Sequence, residues 1–324
     1  MAYYFDWPTL SFDSSHAANW PLWIVVIIAI LVFIPLCTSM QRCERLNTKS
    51  TSDALESMTL EEAYSIKLWL AEHEFSMVFS AATAFVFFKS YGIPSIAKLV
   101  AGAAHRSSST SHVVSQKPKL DSSVILANLM GRPGAPEMIA AIDRINHIHS
   151  YYRPSGKMSD NDLLYTLSLY VLEVIRWVDK YEWRPLTRKE RCALATLWKS
   201  LGEKLRIPYN NLPSHQSGFK NALHWLQELE EWGQTYEERN MKRSPDALLV
   251  AHKHLDTWLQ NVPTSVKPVA RSMIAVIIDP ELRLAMDINN PSAASKFIVH
   301  AIIHTRKFFR RCYFRFSNPF SHKV

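Results

Sequence analysis

Glycine and cysteine are both scarce in this 324-residue chain, and neither is arranged for the chemistry it most often signals. The eight glycines form no G-x-G-x-x-G and no G-x-x-x-x-G-K-[ST]. Such loops bring bare backbone N–H groups against a phosphate, so their absence speaks against the usual nucleotide chemistries. The four cysteines, Cys37, Cys43, Cys192 and Cys312, contain no C-x-x-C, and no N-x-[ST] sequon occurs. A zinc ribbon, a disulfide framework and a secreted glycoprotein are therefore poor readings, and a reducing compartment is the simplest one. Acidic charge is in deficit too. With 29 Asp+Glu against 37 Lys+Arg the chain carries +8, which suits a membrane surface or an anionic cofactor.

What the chain does have is apolar bulk: 48% hydrophobic residues against 20% charged, enough for one large domain or two small ones with a sizeable core rather than a disordered polymer. From Ser14 to Gln41 there is no Asp, Glu, Lys or Arg, and residues 20–40 have the length that spans a bilayer. Trp20 and Trp23 suit an interfacial belt; Arg42, Arg45 and Lys49 follow the run, while only Asp6 and Asp13 precede it. The positive-inside rule then predicts a short lumenal N-terminus over 1–19, a retained anchor over 20–40 and a cytosolic domain over 41–324. The membrane expected is that of the endoplasmic reticulum. A second apolar run, Phe75–Phe88, is too short to span comfortably and reads as a buried helix.

The body reads as all-α. Thr59-x-x-Glu62 and Thr187-x-x-Glu190 are capping boxes, and Ser159-x-x-Asp162 is a weaker one. Apolar residues recur every three to four positions, predicting helices over 60–90, 94–104, 122–130, 135–152, 160–181, 188–205, 217–239, 245–260, 266–278 and 292–315. The serine-rich stretch 107–118 reads as a loop or flexible insertion. The helix over 160–181 is apolar almost all round and so should be central, with Glu173 and Arg176 paired to each other or to neighbours such as Arg184 or Asp179.

Two histidine pairs are candidate sites. His147 and His149 lie about 200° apart on a helix, so only one can face inward; with Ile142 and Ile145 as reference, that one is His149. His300 and His304 have the i, i+4 spacing that places two imidazoles on one face, but no acid lies between them and H-E-x-x-H is absent.

Three blocks together resemble a known family. The first runs from His73-Glu74-Phe75 to Phe87-Phe88-Lys89-Ser90-Tyr91-Gly92-Ile93-Pro94. The second joins His149 to Gly156-Lys157-Met158-Ser159-Asp160-Asn161-Asp162 and Leu164-Tyr165-Thr166-Leu167. The third holds Arg176-Trp177, Tyr181-Glu182-Trp183-Arg184-Pro185-Leu186-Thr187, Glu190-Arg191-Cys192-Ala193 and Trp198-Lys199-Ser200-Leu201-Gly202. In this order, over roughly residues 60–290, they resemble the fungal membrane-bound oxygenases of the MpaB type, distant relatives of the rubber oxygenases or latex clearing proteins.

The resemblance implies an all-helical domain behind the membrane anchor that holds haem b, with His149 as proximal iron ligand. It implies dioxygen and a lipophilic, prenylated small molecule as substrates, membrane lipid as a contact, and oxidative cleavage of a carbon–carbon double bond. Arg176, Arg184 and Lys119 become candidates for the haem propionates, and Lys119 and Asp121 for the distal side. There the chain departs from the pattern. Pro118 stands where the family tends to show arginine, Ser122 replaces threonine, and neither Lys117 nor Lys119 reproduces a bidentate guanidinium. The other readings left open are a non-haem metal oxidase using His300 and His304, and a non-catalytic binding or scaffold descendant. P450-type chemistry needs a thiolate in a Gly/Arg-rich loop, and no cysteine has that setting. The basic–aromatic Phe308-Phe309-Arg310-Arg311 and Phe314-Arg315-Phe316 suit anionic lipid; no recognition module supports nucleic acid.

Overall fold

Polar caps fix where several of the helices begin. A computed structural model of the chain describes the backbone of residues 58–108 and 124–316, and side chains over 58–103 and 124–311. In it the side chains of Thr59, Ser159, Thr187, Asn221 and Ser244 each accept a hydrogen bond from the backbone N–H three residues on. The helices are α1 (Leu60–Trp69), α2 (Ser76–Ser90), α3 (Pro94–Ser108), α4 (Pro136–Tyr152), α5 (Asp160–Tyr181), α6 (Arg188–Lys204), α7 (Ala222–Asn240), α8 (Pro245–Trp258), α9 (Lys267–Ile277), α10 (Pro280–Ala285) and α11 (Ala293–Phe316). A short helical stretch also covers 124–129. No strand occurs among the described residues, so the all-α expectation holds there.

The expected helices differ from the observed ones in four instructive places. The single helix expected over 60–90 is broken by a π-helical turn, Leu70–Glu74, after which Phe75 leaves helical geometry. A wide turn of this kind inserts one extra residue and shifts the facing of everything beyond it, which apolar periodicity alone does not reveal. The helix expected from 217 begins only after Asn221, because Gly218 adopts a positive φ of 85° that closes a turn. The six-residue α10 was not foreseen; it is too short to produce a period. α3 also extends to Ser108, into the serine-rich stretch expected as a loop.

α5 is the axis. Leu163, Leu167, Val171, Val174 and Val178 are buried on one side, and Tyr165, Leu169 and Leu172 on another, as its all-round apolar sequence required. α2, α6 and α7 pack around it, and α1 packs on α6. Tyr170 of α5 stacks on Trp198 of α6 with ring centroids 5.1 Å apart. Close by, Gly202 lets the same two helices approach. A Cβ there would lie well inside contact distance of the Leu167 side chain and the Tyr209 hydroxyl. Tyr209 donates that hydroxyl to the Lys199 carbonyl at 2.9 Å, so the Trp198–Gly202 motif is a packing device. A second cluster joins α2 and α3 to α8 and α10 through Phe85, Phe88, Ala97, Val250, Leu255 and Leu282.

Phe75–Phe88 behaves as a core element: Phe75, Val78, Phe79, Ala82, Phe85, Val86 and Phe88 are all buried. Among the described residues no single helix is long and apolar enough to cross a membrane, although α2 and α3 taken together, bent by 97°, reach the required length and composition. The anchor expected over 20–40, with Arg42, Arg45 and Lys49, lies outside the described residues.

Candidate functional site

The inward stripe of α4 runs through Met138, Ala141, Ile142, Ile145 and His149, a face that recurs every three to four residues. The first three are buried and Ile145 packs against the main core. Pro136 opens the helix at a position where its missing N–H costs nothing. His149 sits on the last turn, half-buried, while His147 is exposed, so the choice between them made from the helical wheel matches the structure.

The end of α4 is fixed by polar ties. Asn146 Nδ2 donates to the Lys204 carbonyl at 3.0 Å, joining α4 to the end of α6. Arg153 donates through Nε to Asp160 at 2.8 Å and through Nη1 to the Arg206 carbonyl at 3.2 Å. Gly156, at φ 66°, closes the turn into α5. The Gly156–Asp162 motif is therefore the turn and cap that hold the His149 helix end beside the start of α5. Asp162 itself accepts from Ser159 (2.7 Å), Ser95 (2.7 Å) and Tyr236 (2.9 Å).

Within this braced setting His149 is left unsatisfied. Its Nδ1 is buried and has no hydrogen-bond partner. Burial, helped by the Arg153 cation, lowers the imidazole pKa to about 4. The ring is therefore neutral at physiological pH and holds a buried nitrogen that no described group claims. Leaving such an atom unmade costs about 1–3 kcal/mol, so an unpartnered one calls for an explanation. Neutral imidazole is the form that ligates iron. At this residue the structure fits a haem ligand.

The two candidate arginines sit in ion-pair clasps. Arg184 spends all five N–H donors: Nε and Nη2 on Glu74 (2.7 and 2.6 Å), Nη1 and Nη2 on Glu190 (2.8 and 2.8 Å), and Nη1 on the Pro185 carbonyl (3.1 Å). No donor remains for a propionate in this arrangement. Glu74 is delivered by the π-helical turn, and Arg184 lies over the Phe75 ring at 5.0 Å. Glu190 also closes the Thr187 capping box. One guanidinium thereby ties the π-helical turn after α1, the α5–α6 connection and α6 together. Arg176 donates to Glu173 at 3.2 Å and lies 3.7 Å from Glu230. The pairing of Glu173 with Arg176 was expected. Asp179 instead pairs with Arg191, and the main partner of Glu173 is Lys89, at 2.8 Å.

That last pair was missed from sequence, though Lys89 inside an apolar run was a visible signal. Both side chains are 3% exposed. Burial alone would raise the Glu173 carboxyl, yet Lys89 and Arg176 carry it below its ordinary value. Burial likewise opposes the Lys89 charge, yet Glu173, Glu237 and Asp279 hold the ammonium above its usual range. Lys89 and Arg176 line a cleft of about 430 Å³ with Glu237, Asp279, Met241 and Leu282; His149 is not among its walls.

The remaining candidates divide in two. Lys119 and Asp121, expected on the distal side, lie outside the described residues. His300 and His304 are both exposed on α11, and among the described residues no group of three His, Cys, Asp or Glu is placed to hold a metal ion. The non-haem reading therefore finds no third ligand there.

The described residues thus define an all-helical protein that braces one neutral, unpartnered imidazole against its core. Residues 72–308 match the family model described as ER-bound oxygenase mpaB/B'/Rubber oxygenase, catalytic domain, and the chain belongs to this family. It is 32% identical over 296 residues to the ER-bound oxygenase mpaB' of Penicillium brevicompactum, covering 89% of this chain and 69% of that protein. It is likewise 32% identical over 291 residues to the ER-bound oxygenase mpaB of Penicillium roqueforti (strain FM164), covering 87% and 97%. The protein is an oxygenase, hence an oxidoreductase.

Proposed function

We propose that this oxygenase is haem-dependent, with His149 as the proximal ligand of haem b, and that it cleaves a carbon–carbon double bond in a lipophilic, prenylated small molecule. One observation carries the reading: a buried, neutral imidazole with an unclaimed nitrogen, at the position the family resemblance selects for the iron ligand. Held there by His149, haem would supply the iron redox chemistry by which dioxygen oxidises an alkene. The net reaction places one oxygen atom of dioxygen on each alkene carbon and yields two carbonyl compounds.

The protein's own part is positioning and exclusion of water. α4 presents His149 from a helix whose end is locked by Asn146 and Arg153, which limits how far the ligand can wander. Burial keeps the imidazole unprotonated, so its lone pair stays available down to about pH 4. Leu163, Leu167 and Val171 of α5 and Ile142 of α4 give the surrounding core its apolar character. Lys119 and Asp121 are assigned to the distal side by resemblance. Arg184 is assigned to the scaffold, since Glu74 and Glu190 occupy it. The relatives named ER-bound, together with the apolar run over 20–40, support a single-pass anchor in the endoplasmic reticulum membrane with the domain in the cytosol.

The test is spectroscopic. Full-length protein in native membranes should show a Soret band that shifts with carbon monoxide after reduction. His149→Ala should lose haem while His147→Ala keeps it. A colourless preparation from haem-replete cells, or equal haem in the two variants, removes the assignment.

A further inference from the structure

Helix α11 divides by facing into three sectors at about 100° per residue. One packs inward. Ser295 and Val299 are buried, Arg306 donates to Glu182 at 2.6 Å, and Arg310 donates to the Glu74 carbonyl. A second, about 140° wide, holds Phe297, Phe308, Ile298, Phe309 and Ile302, with Ala294, Ala301 and Thr305 between them among the described side chains. These side chains point away from the domain: Phe297 is 76% exposed, Phe308 63% and Ile302 51%. The third sector carries Lys296, His300, His304, Lys307 and Arg311 in one stripe along the helix. No acid occurs anywhere in α11, or from Ile288 to the last residue.

A soluble helix that packs on its domain normally turns its apolar residues inward and its charges outward. α11 instead buries two arginines and exposes three phenylalanines. It takes Arg310 out of the lipid contact expected from sequence, while Phe308, Phe309 and Arg311 stay exposed and the side chains of Phe314, Arg315 and Phe316 lie outside those described. A wide exposed apolar arc flanked by an acid-free basic stripe matches a bilayer interface, where the arc enters the acyl boundary and the cations meet anionic headgroups. A second copy of this chain, which carries +8, would set like charge against that stripe.

We infer that α11 is a peripheral membrane-docking element that seats the domain, through Phe297, Ile298, Ile302, Phe308 and Phe309, on a bilayer rich in anionic lipid. The inference rests on the membrane location proposed above, but neither on the haem nor on the position of an anchor. It means that the oxygenase domain takes a fixed orientation on the surface from which a lipophilic substrate arrives.

The experiment uses the full chain in vesicles, with Cys37, Cys43 and Cys312 changed to serine and buried Cys192 left in place. An environment-sensitive dye is attached after Ile302→Cys, or after Glu231→Cys on the exposed side of α7 as a control. In phosphatidylcholine vesicles containing phosphatidylinositol, the dye at 302 should be quenched by brominated lipid and shielded from iodide, and the dye at 231 should show the reverse. Lys296→Glu and Arg311→Glu should each weaken the bromolipid quenching by about fivefold on anionic vesicles, with little change on pure phosphatidylcholine. Iodide access at 302 equal to that at 231 overturns the inference. So does shielding at 302 without bromolipid quenching, which would mean that another protein surface or another segment of the chain covers the arc. Release by alkaline carbonate with lipid quenching intact at neutral pH would remove the proposed anchor and leave α11 docking standing. Loss of haem leaves the quenching unchanged.

Discussion

The end of α4 and the Lys89–Glu173 centre are both polar insertions into an apolar helical core, and they are finished in opposite ways. Around Glu173 each charge is answered: Lys89 at 2.8 Å, Arg176 at 3.2 Å and the Trp177 indole N–H at 3.2 Å. The same holds for Arg184, whose donors are all spent. At His149 the supports are complete while the imidazole nitrogen is not. Saturation marks Glu173 and Arg184 as parts of the scaffold; the His149 Nδ1 is buried and open, as are Glu182 Oε2, Trp225 Nε1 and Arg283 Nε, and it differs from these in belonging to the imidazole proposed as a ligand. Both kinds sit among invitingly charged or ligating residue types in the sequence, and only their partners separate them.

The comparison breaks most visibly at His149. His149→Ala should lower bound haem by more than about tenfold, because even outer-shell changes around a metal ligand cost that much in affinity. The apoprotein should keep its helical circular dichroism, since no hydrogen bond from Nδ1 is lost. Haem content by pyridine haemochrome against chain concentration reads this directly, and a variant that unfolds instead would make His149 a scaffold residue.

Next in size is Lys89→Met. Uncovering the buried Glu173 carboxylate should cost about 3 kcal/mol in urea unfolding, the low end for a broken buried pair because Arg176 remains beside it. Lys89→Met with Glu173→Leu should recover most of that loss. The pH dependence of the intact pair follows from the two shifts. The Glu173 contribution is fully present above about pH 4.3 and is lost as pH falls through its lower folded value. The Lys89 contribution is fully present below about pH 10.4 and is lost as pH rises through its higher folded value. Stability should therefore show a plateau through neutrality, and Lys89→Met, with no ammonium to lose, should lack the fall on its alkaline side.

Arg184→Lys keeps the charge and loses the two-carboxylate fork, for a cost of about 2 kcal/mol in the same unfolding assay and no change in haem content. A parallel loss of haem would return Arg184 to the cofactor. The smallest effect belongs to the cap. Thr187→Ala should cost about 1 kcal/mol, since Glu190 stays anchored by Arg184 when the box is opened.

Much of the fold was legible because it is written locally. Caps at Thr59, Ser159 and Thr187 are residue choices that act over three positions, and all three open helices as expected. The bounds of α5 and the inward turn of His149 follow from helical periodicity. What periodicity could not carry was the π-helical turn at Leu70–Glu74, because one extra residue resets the phase without leaving a compositional mark. It also could not carry the Asn221 cap, hidden behind the turn at Gly218, or the partners of buried charges 84 and 110 residues away.

By itself the sequence determined the all-α class, the family and which of two neighbouring histidines faces the core, since each depends on short-range spacing or on an ordered set of motifs. Only the tertiary structure decided that Arg184 belongs to a clasp, that Lys89 answers Glu173, and that α11 turns its phenylalanines outward. Those outcomes depend on what lies opposite a side chain, and no spacing along the chain encodes that.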